Sequence, residues 1–411
     1  MIRKRNVIIV ALIVVAVFFF TIHYLLKYLP TLDNVVKTNS KIENAIYEEF
    51  KILPKFYKEV QQHLGATKTD EFLENVKDVM NLALQDVNVK EVWKEANSWP
   101  SSNQLTNISS PSIGKLMYAL KHAWIIHADI DTRGTQLKLL INLMGDQQCV
   151  FKPKWYDKEK LIEGPVYSGK DRYGSEIVAF YLSVLLEKPL TPVSVERTIS
   201  LRHDILPVAT RRLVNTSFVK NSKTCIYGKC LYCKKEDPIC GDAQDKLTGA
   251  VIFNVKKTFS NYRSPWQRTY KKSKLATWQT DPDYCKIVRD KLSKKRIQDL
   301  IDTAIFDFLI QNGDRHHYET LDDTVVWVDN GKGLGNPHVQ HIDILAPLYQ
   351  CCTIRQQTWK ALLNLAGGNL SKYLRLMPDI ENILTESHLK SMEERLLLVF
   401  AAVEFCKKKG S

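Results

Sequence analysis

The 411-residue sequence has no internal repeat and no long low-complexity tract, which excludes a solenoid array or a biased linker as its basis. Carboxylates are in deficit, with 45 Asp+Glu against 58 Lys+Arg and a formal charge of +13. That deficit favours anionic partners such as nucleotide phosphates, acidic glycans or acidic proteins. The basic clusters "KKSK", "KLSKKR" and "FCKKKG" are short and scattered, so a solvated surface would give the same total. A hydrophobic content of 45% excludes disorder and supplies a core. The length suits one large two-lobed domain or two domains.

Long apolar runs are scarce as well. The one at the N-terminus, "VIIVALIVVAVFFFTIHYLL" from Val7 to Leu26, has His23 as its one basic residue. About 20 residues rising roughly 1.5 Å each cross a hydrocarbon layer of about 30 Å. The run is longer than a signal-peptide core and lacks a small-residue cleavage site, so an uncleaved anchor is expected over 6–26. Arg3, Lys4 and Arg5 precede it and Lys27 alone follows closely, which places 1–5 in the cytosol and the rest across the membrane.

All nine cysteines, Cys149, Cys225, Cys230, Cys233, Cys240, Cys285, Cys351, Cys352 and Cys406, lie beyond that run, where disulfides form. The Cys230-x2-Cys233 spacing would also suit a zinc module, although an oxidising compartment favours bridges. The sequons at Asn107, Asn215 and Asn369 fit a luminal chain.

Residues 27–110 are expected to form a luminal stem and a helical segment, because Phe72, Val76, Met80 and Leu84 recur on one helical face. "NSWPSSNQLTNISSPS" marks a loop. "WIIHADIDTRGTQLKLLINLMGDQQCVFKPK" then predicts antiparallel strands turning at Gly145-Asp146, with Lys152 in the second. A helix is predicted to begin near Glu176 in "YGSEIVAFYLSVLLE", and "LTGAVIFNV" is another short strand. Further on, "RIQDLIDTAIFDFLIQNG" places Leu300, Ala304, Phe308 and Leu309 on one helical face, with Asn312-Gly313 as the stop. "TVVWVDNGKGLGNP" reads as a strand ending at Asp329, followed by three glycines at alternate positions.

A strand lysine, a helical glutamate and two acids at element junctions are the parts of a phosphoryl-transfer site. Lys152 would supply a cation for the phosphates. Asp329 would hold a divalent metal, with the glycines after it letting the backbone approach the phosphates. Asp314 would accept the proton of the attacking hydroxyl. Each has a plainer role: Lys152 as a surface residue, Glu176 as a helix N-terminal charge, Asp314 in a turn with Arg315 as its ion partner. His316-His317 with Asp314 also raises a zinc site, but adjacent residues diverge in regular structure. One histidine packing inward and bonding the loop is the expected role.

These residues carry a resemblance. "DFLIQNGDRHHYETL", "VDNGKGLGNP", "DILAPLYQCC", "GTQLK", "VFKPK" and "WQTDPDYC" resemble, in the same order from about Ser112 to Cys406, the secretory-pathway kinases that include the Golgi casein kinase and the glycosaminoglycan xylosylkinase. The resemblance implies an α+β, atypical protein-kinase-like two-lobed fold behind the anchor and stem. Its β-rich N-lobe would span 111–255 and its mainly helical C-lobe 256–411. It implies transfer of the γ-phosphoryl of ATP with Mn2+, Mg2+ being the alternative. By similarity Asp314 is the catalytic acid and Asp329 a metal ligand that also contacts nucleotide. Glu176 matches the family's metal-binding glutamate, whose loss makes a relative a pseudokinase. Gln136 and Lys152 match positions that contact nucleotide, Glu319 one that contacts nucleotide or metal, and Ile252, Phe253, Asn254 and Val255 the strand beside adenine. The implied bridges are Cys225 with Cys240, Cys230 with Cys233, Cys285 with Cys351, and Cys352 with Cys406. They remove the zinc reading and leave Cys149 as a buried thiol. The insert between Asp314 and Asp329 is shorter than the resemblance leads one to expect of the vertebrate members, a departure that bears on local substrate contacts and not on the metal chemistry.

"PVATRRLVNTSF", "YGKCLYC", "GNP" and "ILAPLYQCC" look more like the xylosylkinase branch. The acceptor then implied is the 2-hydroxyl of xylose in the glycosaminoglycan linkage region of a proteoglycan. Aromatic and histidine side chains such as His317 and Tyr318 are expected near the sugar from their residue types alone. Two alternatives stand: a secretory protein Ser/Thr kinase acting on Ser-x-Glu, and a pseudokinase scaffold of a sister kinase. The implied location is the Golgi membrane, type II, with release after stem cleavage also open. A homo- or heterodimer with a family member is compatible, and nucleic acid is not an expected partner.

Overall fold

The computed structural model describes residues 41–51, 67–77, 79, 83, 86–270 and 274–410. The expected anchor, and Met80 and Leu84 of the helical face, lie outside the described residues. Among the described residues no helix is long and apolar enough to cross a membrane.

Helices α1 (Lys68–Lys77), α2 (Val89–Ser98) and α3 (Ile113–His122) precede the sheet. Phe72 and Val76 of α1 are buried as the periodicity predicts. These helices belong to the folded body. The Trp93 indole donates to the Met144 carbonyl at 2.9 Å, and Phe72 meets Phe180 edge-on at 6.0 Å. Helix α3 was not anticipated, because its apolar residues follow directly on a loop-like serine and proline stretch.

Strands β1 (Ile125–Ile130), β2 (Leu139–Leu143), β3 (Gln147–Pro153), β4 (Ser194–Ser200) and β8 (Lys246–Phe253) form an antiparallel sheet in the order β1-β2-β3-β8-β4. The β2–β3 hairpin closes through Gly145 and Asp146, both at positive φ (90° and 66°), as a tight turn that follows strand twist requires. Alternation along β3 buries Cys149 and Phe151 in the core and turns Val150 and Lys152 to the opposite face, the period of two that a strand imposes.

Helix α4 (Tyr173–Leu185) is buried at every one of its 13 residues. A helix apolar all round belongs inside a protein. It packs on β4 and β8 on one side and on α5 (Lys294–Ile310) on the other, so its first turn falls where the two halves meet. Helix α5 is capped by Ser293, whose side chain accepts from the Arg296 amide, and it ends with Gln311 in the left-handed conformation. The stop therefore comes one residue before the expected Asn312-Gly313.

The second half is mainly helical and closes with α6 (Glu386–Gly410). It also holds a three-stranded sheet in the order β11-β10-β9, made of β9 (Ser260–Arg263), β10 (His317–Leu321) and β11 (Thr324–Val326), of which only β11 was expected. A third small sheet, β5 (Ser217–Lys220), β6 (Lys223–Ile226) and β7 (Ile239–Cys240), lies between β4 and β8 in the chain.

Four disulfides join Cys225 to Cys240, Cys230 to Cys233, Cys285 to Cys351 and Cys352 to Cys406, the pairs implied by the resemblance. Cys149 is free and buried. Burial pushes its thiol up to about 12, so it is inert core.

Candidate active site

A cleft of about 550 Å³ opens between the main sheet and the helical half. Its apolar wall includes Val150, Ile252, Phe253 and Val255, and its cationic end includes Arg133, Lys138 and Lys152. Such a combination suits a flat base at one end and phosphates at the other. Asn254, Glu176, Glu319 and Asp329 also line it. Gln136 is half-buried in the β1–β2 connection and is not among the lining residues, which there are Asp131, Arg133, Gly134 and Lys138.

Lys152 is the hub. Its Nζ lies 2.7 Å from Glu176 Oε1, 2.7 Å from Asp329 Oδ1 and 3.2 Å from Asp171 Oδ2. Burial works against its charge, yet the carboxylates of Asp329, Glu176 and Asp171 overcome that and hold the ammonium well above the ordinary lysine value. The Lys152 charge in turn holds the Asp329 carboxyl well below the usual range. The Asp329 side chain is 77% exposed, and this exposure is to the cleft itself. Glu176 stays buried and also accepts from the Asn330 amide at 3.0 Å.

A seam of hydrogen bonds fixes Asp329. The Arg172 amide donates to the Gly331 carbonyl at 2.7 Å, and Ser175 Oγ donates to the Asn330 carbonyl at 2.7 Å. The Arg172 guanidinium donates to the carbonyls of Ser168, Lys170, Lys332 and Gly333. A Cβ at Gly331 would meet Asp171 Oδ2 at 2.6 Å, and one at Gly333 would meet Ser175 Oγ at 2.3 Å. Gly331 and Gly333 thus let this loop close onto the start of α4. Strand β11 ends at Val326, three residues before Asp329, which stands beyond it at φ 57°.

Asp314 follows the left-handed end of α5 and lines a small pocket of about 60 Å³ with Tyr270, Trp266 and Arg268. Tyr270 Oη donates to its Oδ1 at 2.6 Å. Burial raises the Asp314 pKa above the usual aspartate value, against the Tyr270 hydrogen bond and the nearby His316 and Lys332. Arg315 is not its ion partner: the guanidinium turns inward to Asp307, with Nε–Oδ2 at 2.5 Å and Nη2–Oδ1 at 2.7 Å. Nη2 also reaches Asn330 Oδ1 at 2.7 Å, and Nη1 the Val328 carbonyl at 2.8 Å. Arg315 therefore ties the Asp314 loop to the Asp329 loop.

Neither histidine packs inward. His316 is exposed, with Nδ1 2.8 Å from the Asp314 carbonyl oxygen, and Tyr318 takes the buried position. Glu319, on β10, accepts from Asn261 Nδ2 at 3.1 Å. Burial raises its pKa.

Sequence reasoning missed Asp171, Tyr270, Asn330 and the Asp307–Arg315 pair. Asp307 had a signal, an acid inside the apolar run "IFDFLIQ". Arg315 and Asn330 lay inside the quoted "DRHHYE" and "VDNGKGLGNP" stretches, whereas Asp171 and Tyr270 had no signal. Because Asp307 and Arg315 are both buried, Arg315→Met should leave an unpaired acid and cost about 3–5 kcal/mol of stability, measurable by urea unfolding.

Among the described residues no group of three or more His, Cys, Asp or Glu side chains is arranged to hold a metal ion. Two hard carboxylates, Glu176 and Asp329, nevertheless share one cation, the Lys152 ammonium. Such a pair suits an ion that completes its shell with phosphate oxygens and water.

Residues 91–411 match the family described as Golgi casein kinase, C-terminal, Fam20. A glycosaminoglycan xylosylkinase homolog of Drosophila melanogaster is 44% identical over 331 residues, 78% of this chain and 78% of that protein. The structure of hydra Fam20 with sugar is similar with a TM-score of 0.73 and 41% identity, covering 77% of this chain and 95% of that one. The Golgi casein kinase with Mn/ADP bound gives a TM-score of 0.72 and 25% identity, covering 85% of this chain and 92% of that one. With its cleft, its lysine–carboxylate hub and a match over most of its length, the chain belongs to the Fam20 family of Golgi casein kinase-like proteins.

Proposed function

We propose that the chain is an ATP-dependent kinase that uses Mn2+, Mg2+ being the alternative, and transfers the γ-phosphoryl to the 2-hydroxyl of xylose in the glycosaminoglycan linkage region of proteoglycans. The observation that carries the chemistry is the Lys152 hub, at 2.7 Å from both Glu176 and Asp329, in a cleft that suits a nucleotide. The acceptor is supported by the 44% identity to the xylosylkinase homolog and by the sugar-bound hydra structure.

Ile252 to Val255 and the apolar wall hold the base. Lys152 and the cations of the β1–β2 connection meet the phosphates, with Glu319 facing the same volume. Glu176 and Asp329 would hold the metal, which when bound supplies positive charge against that developing on the phosphoryl oxygens. Asp314 takes the proton of the attacking hydroxyl, its raised pKa making it a better acceptor than an ordinary aspartate. The lobes are 111–255 and 256–411, behind a type II Golgi anchor at 6–26. Four disulfides suit that compartment, as does the exposure of Asn215, the most accessible sequon of the three.

The test offers labelled ATP and Mn2+ with a xylose-containing linker glycan and a Ser-x-Glu peptide side by side. Labelled glycan is the expected result. Label on the peptide alone would identify a protein kinase, and nucleotide binding without transfer to either would identify a scaffold.

A further inference from the structure

A second groove, of about 520 Å³, runs along the helical half next to the Asp314 pocket. Ser264 and Trp278 line both, so the groove leads away from the place where the acceptor hydroxyl would sit. Its lining carries three cations, Arg263, Lys274 and Lys291, and no carboxylate. All three are exposed, and among the described residues none has a side-chain ion pair or hydrogen bond. The floor is apolar, with Leu275 and Ile287 each 39% exposed and Val288 buried beneath.

Unpaired cations around an apolar floor fit a ligand that alternates carboxylates with apolar groups. A sulfated or uronate-rich glycan would match the charges and leave Leu275 and Ile287 without partners. A xylose acceptor linked to a serine has polypeptide directly behind it. We infer that this groove docks the acidic, apolar-interspersed polypeptide flanking the glycosylated residue of the acceptor, an inference that rests on the sugar-acceptor reading above. Arg263, paired across strands with His317, forms the end of the groove nearer the catalytic loop.

The test compares one linkage glycan carried on an acidic peptide and on a neutral peptide, with wild type and the K274E/K291E double variant. Exposed charge pairs are individually weak, so wild type should show a KM about 5- to 10-fold lower for the acidic glycopeptide. Charge reversal should remove that difference and leave the KM for ATP unchanged. Fluorescence anisotropy of the unglycosylated acidic peptide reads the groove independently of any reaction. Peptide binding lost in K274E/K291E supports the groove even if the glycan is never phosphorylated, an outcome that would sink the acceptor reading alone. Equal KM values for the two glycopeptides in wild type overturn the inference, as does a preference retained in the double variant. Replacing the peptide's apolar residues with serine should weaken binding, and no change would mean that a bare polyanion is the occupant.

Discussion

Asp329→Ala is expected to abolish transfer, lowering kcat by about 10²–10³-fold or more, while the protein stays folded. Its carboxylate is the open member of the Lys152 cluster, and the ammonium keeps Glu176 and Asp171 as partners when it is removed. The position stands at φ 57°, where alanine costs about 1–2 kcal/mol but asparagine is tolerated. Asp329→Asn is therefore the cleaner variant. It keeps the backbone and loses the charge, so a kcat loss with an unchanged melting temperature assigns the effect to the metal side. Activity retained in both variants would refute that assignment.

The second large effect is expected from Asp314→Asn, which removes the proton acceptor and should cost about 10²–10⁴-fold in kcat, with ADP affinity unchanged. Wild-type activity needs the ionised form. It should fall as pH drops through the Asp314 pKa, which burial places above that of an ordinary aspartate. The Tyr270 hydroxyl stabilises the ionised form through its 2.6 Å hydrogen bond. Tyr270→Phe should then move the acidic limb of the pH–rate profile to higher pH. An unshifted limb in Tyr270→Phe, or a surviving limb in Asp314→Asn, would mean that another group takes the proton.

Helix α5 and strand β3 were legible because burial periodicity is local: Leu300, Ala304, Phe308 and Leu309 share a face, and Lys152 falls two residues from Val150 on the cleft side of its strand. The distinctive "DRHHYE" and "DNGKG" stretches carried Asp314, Glu319 and Asp329 through resemblance. What failed were the partners. The plainer reading of Asp314 gave it Arg315 as an ion partner, yet the Arg315 fork faces Asp307, one turn back inside α5. One of His316 and His317 was expected to pack inward, yet Tyr318 takes the buried position, and Gly331 and Gly333 close on Asp171 and Ser175.

By itself the sequence determined the parts: a basic, core-forming chain with an apolar N-terminal run, cysteines confined beyond that run, and acids at the junctions of elements whose periods are written in consecutive residues. The tertiary structure alone decided which charges share a partner. Lys152 meets Asp171, Glu176 and Asp329 across separations of 19, 24 and 177 residues, and Tyr270 reaches Asp314 across 44. The physical reason is that helix and strand periods are set by neighbouring dihedrals and local hydrogen bonds, whereas a buried ion cluster is stable only where folding excludes water and brings distant chain segments together.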